Sequence, residues 1–203
     1  RVLYIPSVWV NAHAKELLSS NVVGTGEHDY ALLAIARSVD GAPLPDSFPS
    51  VPFDTRETIA FTDDPVLVAS YHAEFLGGLT AANDQYAVSS AARIQRMLTF
   101  TTRDVDMLSV GGVIGAQSGS SGGAVANPWG FLVGLVTTMS NGDTTGERDL
   151  RAITLSYIDR DIKIQTGTDL AGHIEGNPRL RSQDFARAAA PSLIDELFKQ
   201  VKH

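Results

Sequence analysis

A glycine-rich segment around Ser121 contains the residue types that present a reactive hydroxyl to a carbonyl group. Ser121 lies within Gly119-Ser120-Ser121-Gly122-Gly123. Glycines on both sides allow a tight turn and leave no Cβ atoms in the path of an incoming carbonyl carbon. The backbone N–H groups of Gly119 and Ser121 could then converge on a developing oxyanion. A flexible Gly/Ser loop without chemistry is the alternative, because a G-x-S-x-G match is only moderately specific.

A second candidate is Asp29, which opens the apolar run of residues 30–35. An aspartate held at the mouth of a buried strand is a suitable partner for a histidine. After Ser121, the turn signal Asn127-Pro128-Trp129-Gly130 leads into a further apolar run, residues 131–137. This pattern predicts a β-hairpin directly after the serine.

The elements that must position these residues are mostly short apolar runs separated by Gly, Pro, Asn and Asp, which indicates an all-β fold. The clearest runs cover residues 2–5, 31–36, 65–70, 110–114, 130–138 and 152–158. Residues 11–19 contain good helix formers behind a cap at Asn11 and predict a short helix. Ser192-Leu193-Ile194-Asp195 resembles a capping box and predicts a C-terminal helix.

Composition excludes several classes of protein. The 203 residues are 43% hydrophobic and 19% charged, so the chain is not disordered as a whole, and its net charge of -7 argues against a nucleic-acid or anionic-membrane binder. It has no cysteine, which rules out disulfides, thiol nucleophiles and thiolate metal sites. No zinc, calcium or P-loop motif is present, so we expect neither a metal nor a cofactor. No apolar run is long enough for a transmembrane helix.

Together these segments resemble the chymotrypsin-like (trypsin-like) serine peptidases, most closely the cysteine-free bacterial type. Asp29-Tyr30-Ala31-Leu32-Leu33 resembles the segment around their catalytic aspartate. Residues 119–125 resemble their G-D-S-G-G-P-V nucleophile loop, and residues 133–137 resemble the following strand, which pairs with substrate backbone. The order of Asp before Ser, about ninety residues apart, is that of the family. Ser120 and Ala124 depart from the Asp and Pro of the family motif.

The resemblance implies a two-lobed double β-barrel whose N-terminal lobe is incomplete in this chain. We expect residues 1–45 to be the remainder of the N-terminal lobe and residues 46–165 to be the C-terminal lobe. Residues 166–203 then form a C-terminal extension with a helix. Four of the nine prolines fall within residues 40–55 and mark the boundary between the lobes.

The resemblance also implies a serine endopeptidase that hydrolyses polypeptides by a Ser-His-Asp mechanism. Ser121 and Asp29 would be catalytic, and the N–H groups of Gly119 and Ser121 would form the oxyanion hole. Substrate-binding positions would be Gly115, Thr137, Thr138 and Met139. No acidic residue stands near Gly115, so a preference for Lys or Arg is not supported, and we expect a small or apolar residue instead.

The catalytic histidine is the main departure from the family. Asn11-Ala12-His13-Ala14 mimics the family motif, but only fifteen residues separate His13 from Asp29, whereas two strands with their turns need about twice that length. His28 adjoins Asp29 but would point elsewhere. Three further histidines have no motif context: His72, His173 and His203. We therefore expect the base upstream of Arg1, in a bacterial protein that is exported or tethered to a membrane or another domain through that region.

Two other interpretations stay open. The chain could be an inactive trypsin-like scaffold that binds peptides, which a fluorophosphonate probe would distinguish because Ser121 without a base stays an ordinary alcohol. It could also be an α/β-hydrolase in which Ser121 is followed by Asp143 or Asp159 and by His173. That fold needs a helix directly after the nucleophile, which Pro128 disfavours.

Overall fold

The computed structural model describes residues 1–16, 25–71, 87–100, 103–113, 116, 118–140, 143–144 and 146–201. The chain divides into two compact units. Residues 25–27 and 51–160 form the sheet unit, and residues 1–24, 28–50 and 161–203 form the helical unit. None of the helices in the described ranges has the length and apolar character needed to cross a membrane.

The elements follow one another from a short N-terminal strand to a group of helices. In chain order they are β1 (Val2–Tyr4), α1 (Ser7–His13), β2 (Leu32–Leu33), β3 (Pro65–Ser70), β4 (Val88–Arg93), β5 (Arg96–Leu98), β6 (Met107–Gly111), β7 (Ala124–Ala126), β8 (Leu132–Met139), β9 (Leu150–Thr154), α2 (Leu155–Thr166), α3 (Leu170–Ile174), α4 (Pro178–Ala188) and α5 (Ala190–Val201).

The sheet unit is built on seven antiparallel strands in the order β4-β3-β7-β8-β9-β6-β5. The two strands at the ends of this order are consecutive in the chain, joined only by Ile94 and Gln95. The Ile94 N–H donates to Asp64 O at 3.0 Å, and the Gln95 N–H donates to Ser109 O at 2.8 Å. One bent strand thus pairs with both ends of the sheet, which curls into a barrel-like shape. The neighbour order β7-β3-β4/β5-β6 is a Greek key.

The core of the sheet unit follows from the alternation of side chains along its strands. On β3, Val66 and Val68 are buried, whereas Leu67 points outward and is 48% exposed. The same inward face continues across the sheet as one cluster of buried residues: Ala60, Val66, Val68, Ile94, Leu108, Val110, Ala116, Val125, Val133, Val136, Leu150 and Ala152. Burying each large aliphatic side chain stabilises the fold by about 1.5–3 kcal/mol.

The predicted hairpin after Ser121 is confirmed as β7 and β8. Asn127 holds its turn, because its side-chain Oδ1 accepts hydrogen bonds from the Trp129 N–H at 3.1 Å and the Phe131 N–H at 3.0 Å. This arrangement places a strand where an α/β-hydrolase would require a helix.

The predicted strand over residues 152–158 is only partly correct, since β9 ends at Thr154 and α2 follows at once. The Thr154 Oγ1 accepts a hydrogen bond from the Tyr157 N–H at 3.0 Å and so caps the new helix. Leu155, Ile158 and Ile162 are all buried. Their spacing of three and four residues fits a helix face rather than a strand.

The helical unit contains a two-stranded antiparallel sheet, in which Val2 pairs with Leu33 and Tyr4 with Leu32. Helix α4 packs on β1, and α5 packs on α1 and α4. The unit is more helical than the all-β prediction, which anticipated one C-terminal helix. β-Structure dominates residues 51–160, and the double β-barrel stays a prediction.

Both predicted helices begin earlier than expected. Helix α1 starts at Ser7 after Pro6, whose extended backbone ends the preceding strand, so Asn11 lies inside the helix and is not its cap. Part of the predicted helix, residues 17–19, lies outside the described residues. Helix α5 starts at Ala190, and Ser192 donates to Ala189 O at 2.9 Å instead of capping the helix. The capping-box prediction is therefore wrong, although Leu193 is buried as expected for the inner face.

Candidate functional site

Ser121 lies at the first corner of a tight β-turn. The Gly123 N–H donates to Ser120 O at 2.9 Å and closes a turn over residues 120–123. Gly122, the second corner residue, has φ of +81°, which only glycine adopts readily and which defines a type II turn. Ser121 is exposed, while Ser120 beside it is buried. The turn therefore presents one of two adjacent hydroxyl groups to the solvent.

Strand β8 holds this turn in place. The Gly122 N–H donates to Val136 O, and the Val136 N–H donates to Gly123 O, both at 2.8 Å. The Ser121 hydroxyl donates to Thr137 O at 3.3 Å. Thr137 is the extra residue of a β-bulge, since the pairing of β8 with β9 shifts between Val136 and Thr138. The bulge brings a carbonyl oxygen to the serine hydroxyl, a contact that sequence reasoning did not anticipate.

Close packing beneath the turn explains why residue 123 is a glycine. A Cβ atom on Gly123 would lie 2.7 Å from Ser70 Cβ and 2.9 Å from Ala69 O and Ser120 O. The Ser70 hydroxyl donates to the Ser120 hydroxyl at 3.4 Å, and both side chains are buried. Strand β3 therefore supports the turn from below.

The amide groups predicted for the oxyanion hole are those of Gly119 and Ser121. Gly119 has φ of +94°, again a glycine conformation. Within the described part of the chain, no backbone carbonyl accepts a hydrogen bond from the Gly119 or Ser121 N–H group. The exposed hydroxyl thus lies between two amide groups that donate to no backbone carbonyl of the described residues.

A concave pocket of about 320 Å³ adjoins Ser121. Among the described residues, its walls come from the end of β3, from Ala87 and from the turn itself, and none of these side chains is charged. The lining residues are Ala69, Ser70, Tyr71, Ala87, Gly119, Ser121, Gly122, Gly123 and Ala124. Small residues and Tyr71 therefore bound a pocket beside the exposed hydroxyl.

The other predicted substrate-binding residues lie on β8, except Gly115, which is outside the described residues. Thr137, Thr138 and Met139 are all partly buried. Among the described residues, the Oγ1 atoms of Thr137 and Thr138 are buried without a hydrogen-bond partner. Gly26 packs against this strand, because a Cβ there would lie 2.8 Å from Thr137 Oγ1. Sequence reasoning missed Gly26, and its φ of +85° gives no sequence signal beyond the glycine itself.

Asp29 belongs to the helical unit and is partly buried. Burial raises the pKa of its carboxyl group, and the nearby His13 imidazole acts in the opposite direction. The His13 ring itself lies on α1, with Nδ1 3.0 Å from Glu16 Oε2 and its ring 5.3 Å from that of Trp9. His13 is therefore paired with Glu16.

The remaining described histidines also have partners in the helical unit. His28, with φ of +58°, places Nδ1 3.0 Å from Asp161 Oδ2, and His173 places Nε2 2.9 Å from Thr166 Oγ1. The His28 imidazole is thus within hydrogen-bond distance of Asp161, 133 positions away in the chain. His72 and His203 lie outside the described residues.

A buried network around Asp161 is another polar cluster, and no sequence motif indicates it. Asp161 Oδ2 accepts hydrogen bonds at 2.8 Å from both the Tyr30 hydroxyl and Gln165 Nε2. The Tyr4 hydroxyl donates to Gln165 Oε1 at 3.0 Å. Burial and the Asp161 charge raise the pKa of Tyr4 to about 12. Burial, followed by the hydrogen bond to Asp161, raises the pKa of Tyr30 still further.

A search of the described residues finds no group of three or more His, Asp and Glu side chains arranged to hold a metal ion. Compared with the models of known protein families, the chain matches none. It also matches no curated protein. Function is therefore inferred from the residues and their geometry.

Proposed function

We propose that this protein is a serine endopeptidase and that Ser121 is its nucleophile. The observation that carries the proposal is the exposed Ser121 hydroxyl at the corner of a type II turn, flanked by two backbone N–H groups. Acyl transfer needs this combination, a hydroxyl open to a carbonyl carbon and donors beside it for the oxygen. The Greek-key, barrel-like sheet beneath the turn supports the finer proposal of a chymotrypsin-like double β-barrel, since that family carries its triad on β-barrels.

In the proposed mechanism, Ser121 Oγ attacks the carbonyl carbon of the scissile peptide bond. A histidine takes the hydroxyl proton and returns it to the leaving amine. Asp29 orients that histidine and stabilises its imidazolium form. The N–H groups of Gly119 and Ser121 bind the oxyanion, and each donor of this kind lowers the barrier by roughly 3 kcal/mol. Water then hydrolyses the acyl-enzyme by the same proton transfers in reverse.

Strand β8 would hold the substrate residues that precede the scissile bond. The bulge at Thr137 brings a β8 carbonyl within 3.3 Å of the nucleophile. An extended peptide that pairs along residues 137–139 would therefore reach Ser121 with its carbonyl group at the hydroxyl.

A peptide-binding protein without catalysis is the second candidate, and one observation favours it. The hydrogen bond of the Ser121 hydroxyl goes to Thr137 O and not to a base. A serine without a general base is a poor nucleophile at neutral pH. The same turn, pocket and strand would then serve only for binding.

A fluorophosphonate probe separates the two candidates. The full-length polypeptide is treated with the probe, and the labelled residue is located by mass spectrometry. We expect labelling at Ser121, its loss in Ser121→Ala, and its retention in Ser118→Ala, which removes another exposed hydroxyl three residues earlier. Binding of peptides without any labelling of Ser121 would reject the peptidase in favour of the binding protein.

A further inference from the structure

The pocket beside Ser121 is separate from the strand proposed to hold the first part of the substrate. Its walls come from β3, Ala87 and the turn, and residues 137–139 of β8 do not line it. A peptide bound across Ser121 extends in two directions from the scissile bond. If β8 holds the residues before that bond, the residues after it pass over the pocket.

Small side chains create the concavity. Ala69 of β3 and Ala124 of β7 are direct partners in the antiparallel register. Both point away from the core, since their neighbours Val68 and Val125 are buried inside the sheet. Paired Cβ atoms on one face of a sheet are about 4.5–5.5 Å apart, so two methyl groups leave an open floor that longer side chains would fill.

The chemistry of the walls limits what can bind. None of the described residues that line the pocket carries a charge, so a charged side chain would lose hydration against them without gaining a partner. The volume of about 320 Å³ is at the lower end of the range for ligand pockets. Tyr71 stands at the margin with 57% of its surface exposed and offers an aromatic face to an apolar group.

We propose that this pocket is a specificity site for a small, uncharged side chain that follows the scissile bond. This inference rests on the proposed peptidase function and adds the class of substrate to it. The determinants are Ala69 and Ala124 on the floor and Tyr71 at the margin. Discrimination by one or two methylene groups in such a pocket typically changes rates 10-fold or more.

The experiment is a cleavage profile of a mixed peptide library with the full-length polypeptide. We expect cleavage sites to be enriched in Ala, Ser and Val after the scissile bond and depleted of Lys, Arg, Asp, Glu and Trp. In Ala69→Leu the added atoms occupy the floor, and cleavage of the preferred peptides falls roughly 10-fold or more, while peptides with Gly at that position are least affected.

Ala126→Leu is the matched control. Ala126 lies on the same outward face of β7, two residues from Ala124, but does not line the pocket. The profile of this variant stays that of the natural protein. Tyr71→Ala tests the margin independently, because it removes an exposed ring, and we expect it to admit larger side chains at the same position.

The outcomes distinguish this inference from the function on which it rests. If Ser121 is not labelled by fluorophosphonate, the peptidase proposal fails, and this inference fails with it. If Ser121 is labelled and peptides are cleaved, but the profile after the scissile bond is flat, favours charged residues, or is unchanged in both Ala69→Leu and Tyr71→Ala, the specificity site alone is rejected.

Discussion

The turn around Ser121 and the network around Asp161 are both polar clusters, but they use their hydrogen-bonding capacity in opposite ways. Asp161 is buried, and His28, Tyr30 and Gln165 all lie at hydrogen-bond distance from its Oδ2 atom. Ser121 is exposed and makes one hydrogen bond of 3.3 Å, beside two amide groups that donate to no described backbone carbonyl.

This difference indicates which cluster suits chemistry. A carboxylate whose neighbours all donate to it has little capacity left for a ligand, and removing it leaves several buried groups unpaired. A hydroxyl and amides with spare capacity can bind reacting atoms at little cost to stability. We therefore assign stability to the Asp161 network and reactivity to the Ser121 turn.

The largest expected effect separates activity from stability at Asp29. Under the proposed mechanism, Asp29→Asn lowers kcat roughly 10⁴-fold, because the histidine loses the carboxylate that fixes its tautomer. The expected effect of Asp29→Asn on stability has the opposite sign, because the variant gains stability relative to the natural protein as the pH rises. Burial raises the pKa of Asp29 above its ordinary value of 3.8, so the folded state holds the proton more tightly than the unfolded state.

The contribution of Asp29 to stability is therefore largest at low pH and is lost as the pH rises from 3.8 through the raised pKa. Urea unfolding between pH 3 and pH 7 should show Asp29→Asn gaining stability relative to the natural protein across that window. The exposed Asp46→Asn variant serves as the control. Parallel curves for Asp29→Asn and the natural protein would contradict the assignment of a buried, destabilised carboxylate.

The next largest effect is a loss of stability when the Asp161 network is disrupted. Asp161→Ala removes a buried acceptor and leaves Tyr30, Gln165 and His28 without it, so we expect a loss of about 3–5 kcal/mol in the free energy of unfolding. Denaturant titration measures the loss. Asp184→Ala, an exposed aspartate on α4, should change stability by less than about 0.5 kcal/mol. Equal effects of the two variants would remove the distinction between the clusters.

The smallest effect is expected from a comparison of two glycines that share a backbone conformation but lie in different turns. Gly122 and Gly130 have φ of +81° and +82°, and a Cβ on either would meet no atom within 4 Å. Alanine at each should therefore cost a similar amount, about 1–2 kcal/mol, from backbone strain alone. Only Gly122→Ala should also slow fluorophosphonate labelling, because it distorts the turn that carries Ser121. Slow labelling in both variants would show that general destabilisation, and not the turn, is responsible.

The sequence predicted the hairpin after Ser121 and the strands whose side chains are strongly apolar. It missed β4, whose residues Val88-Ser89-Ser90-Ala91-Ala92-Arg93 have little hydrophobic character. That strand forms because β3 pairs with it along its whole length, a tertiary effect that no local pattern contains. Helix α2 was missed for a related reason, since the apolar run of residues 152–158 fits either a strand or a buried helix.

For the candidate site, the glycine motif identified Ser121 and the residues that could bind an oxyanion. The bulge at Thr137 and the contact of Gly26 with β8 were not predictable, because each depends on tertiary pairing that no local sequence pattern contains. The same holds for the Asp161 network, where Tyr30 and Asp161 are 131 positions apart. Residue types and their spacing in the sequence identify candidate reactive residues, whereas the contacts of those residues depend on the tertiary fold.

The curled sheet, in which β4 and β5 form one bent strand, contains strand pairs that can form early in folding and strand pairs that must form late. The hairpins β3–β4, β5–β6 and β7–β8 join neighbours and can form early. The pairs β3–β7 and β6–β9 join distant segments and pay a larger loop-closure entropy, so we expect them to limit the folding rate. Until they form, unpaired strand edges are available to other chains, and the risk of aggregation is concentrated in this interval before closure.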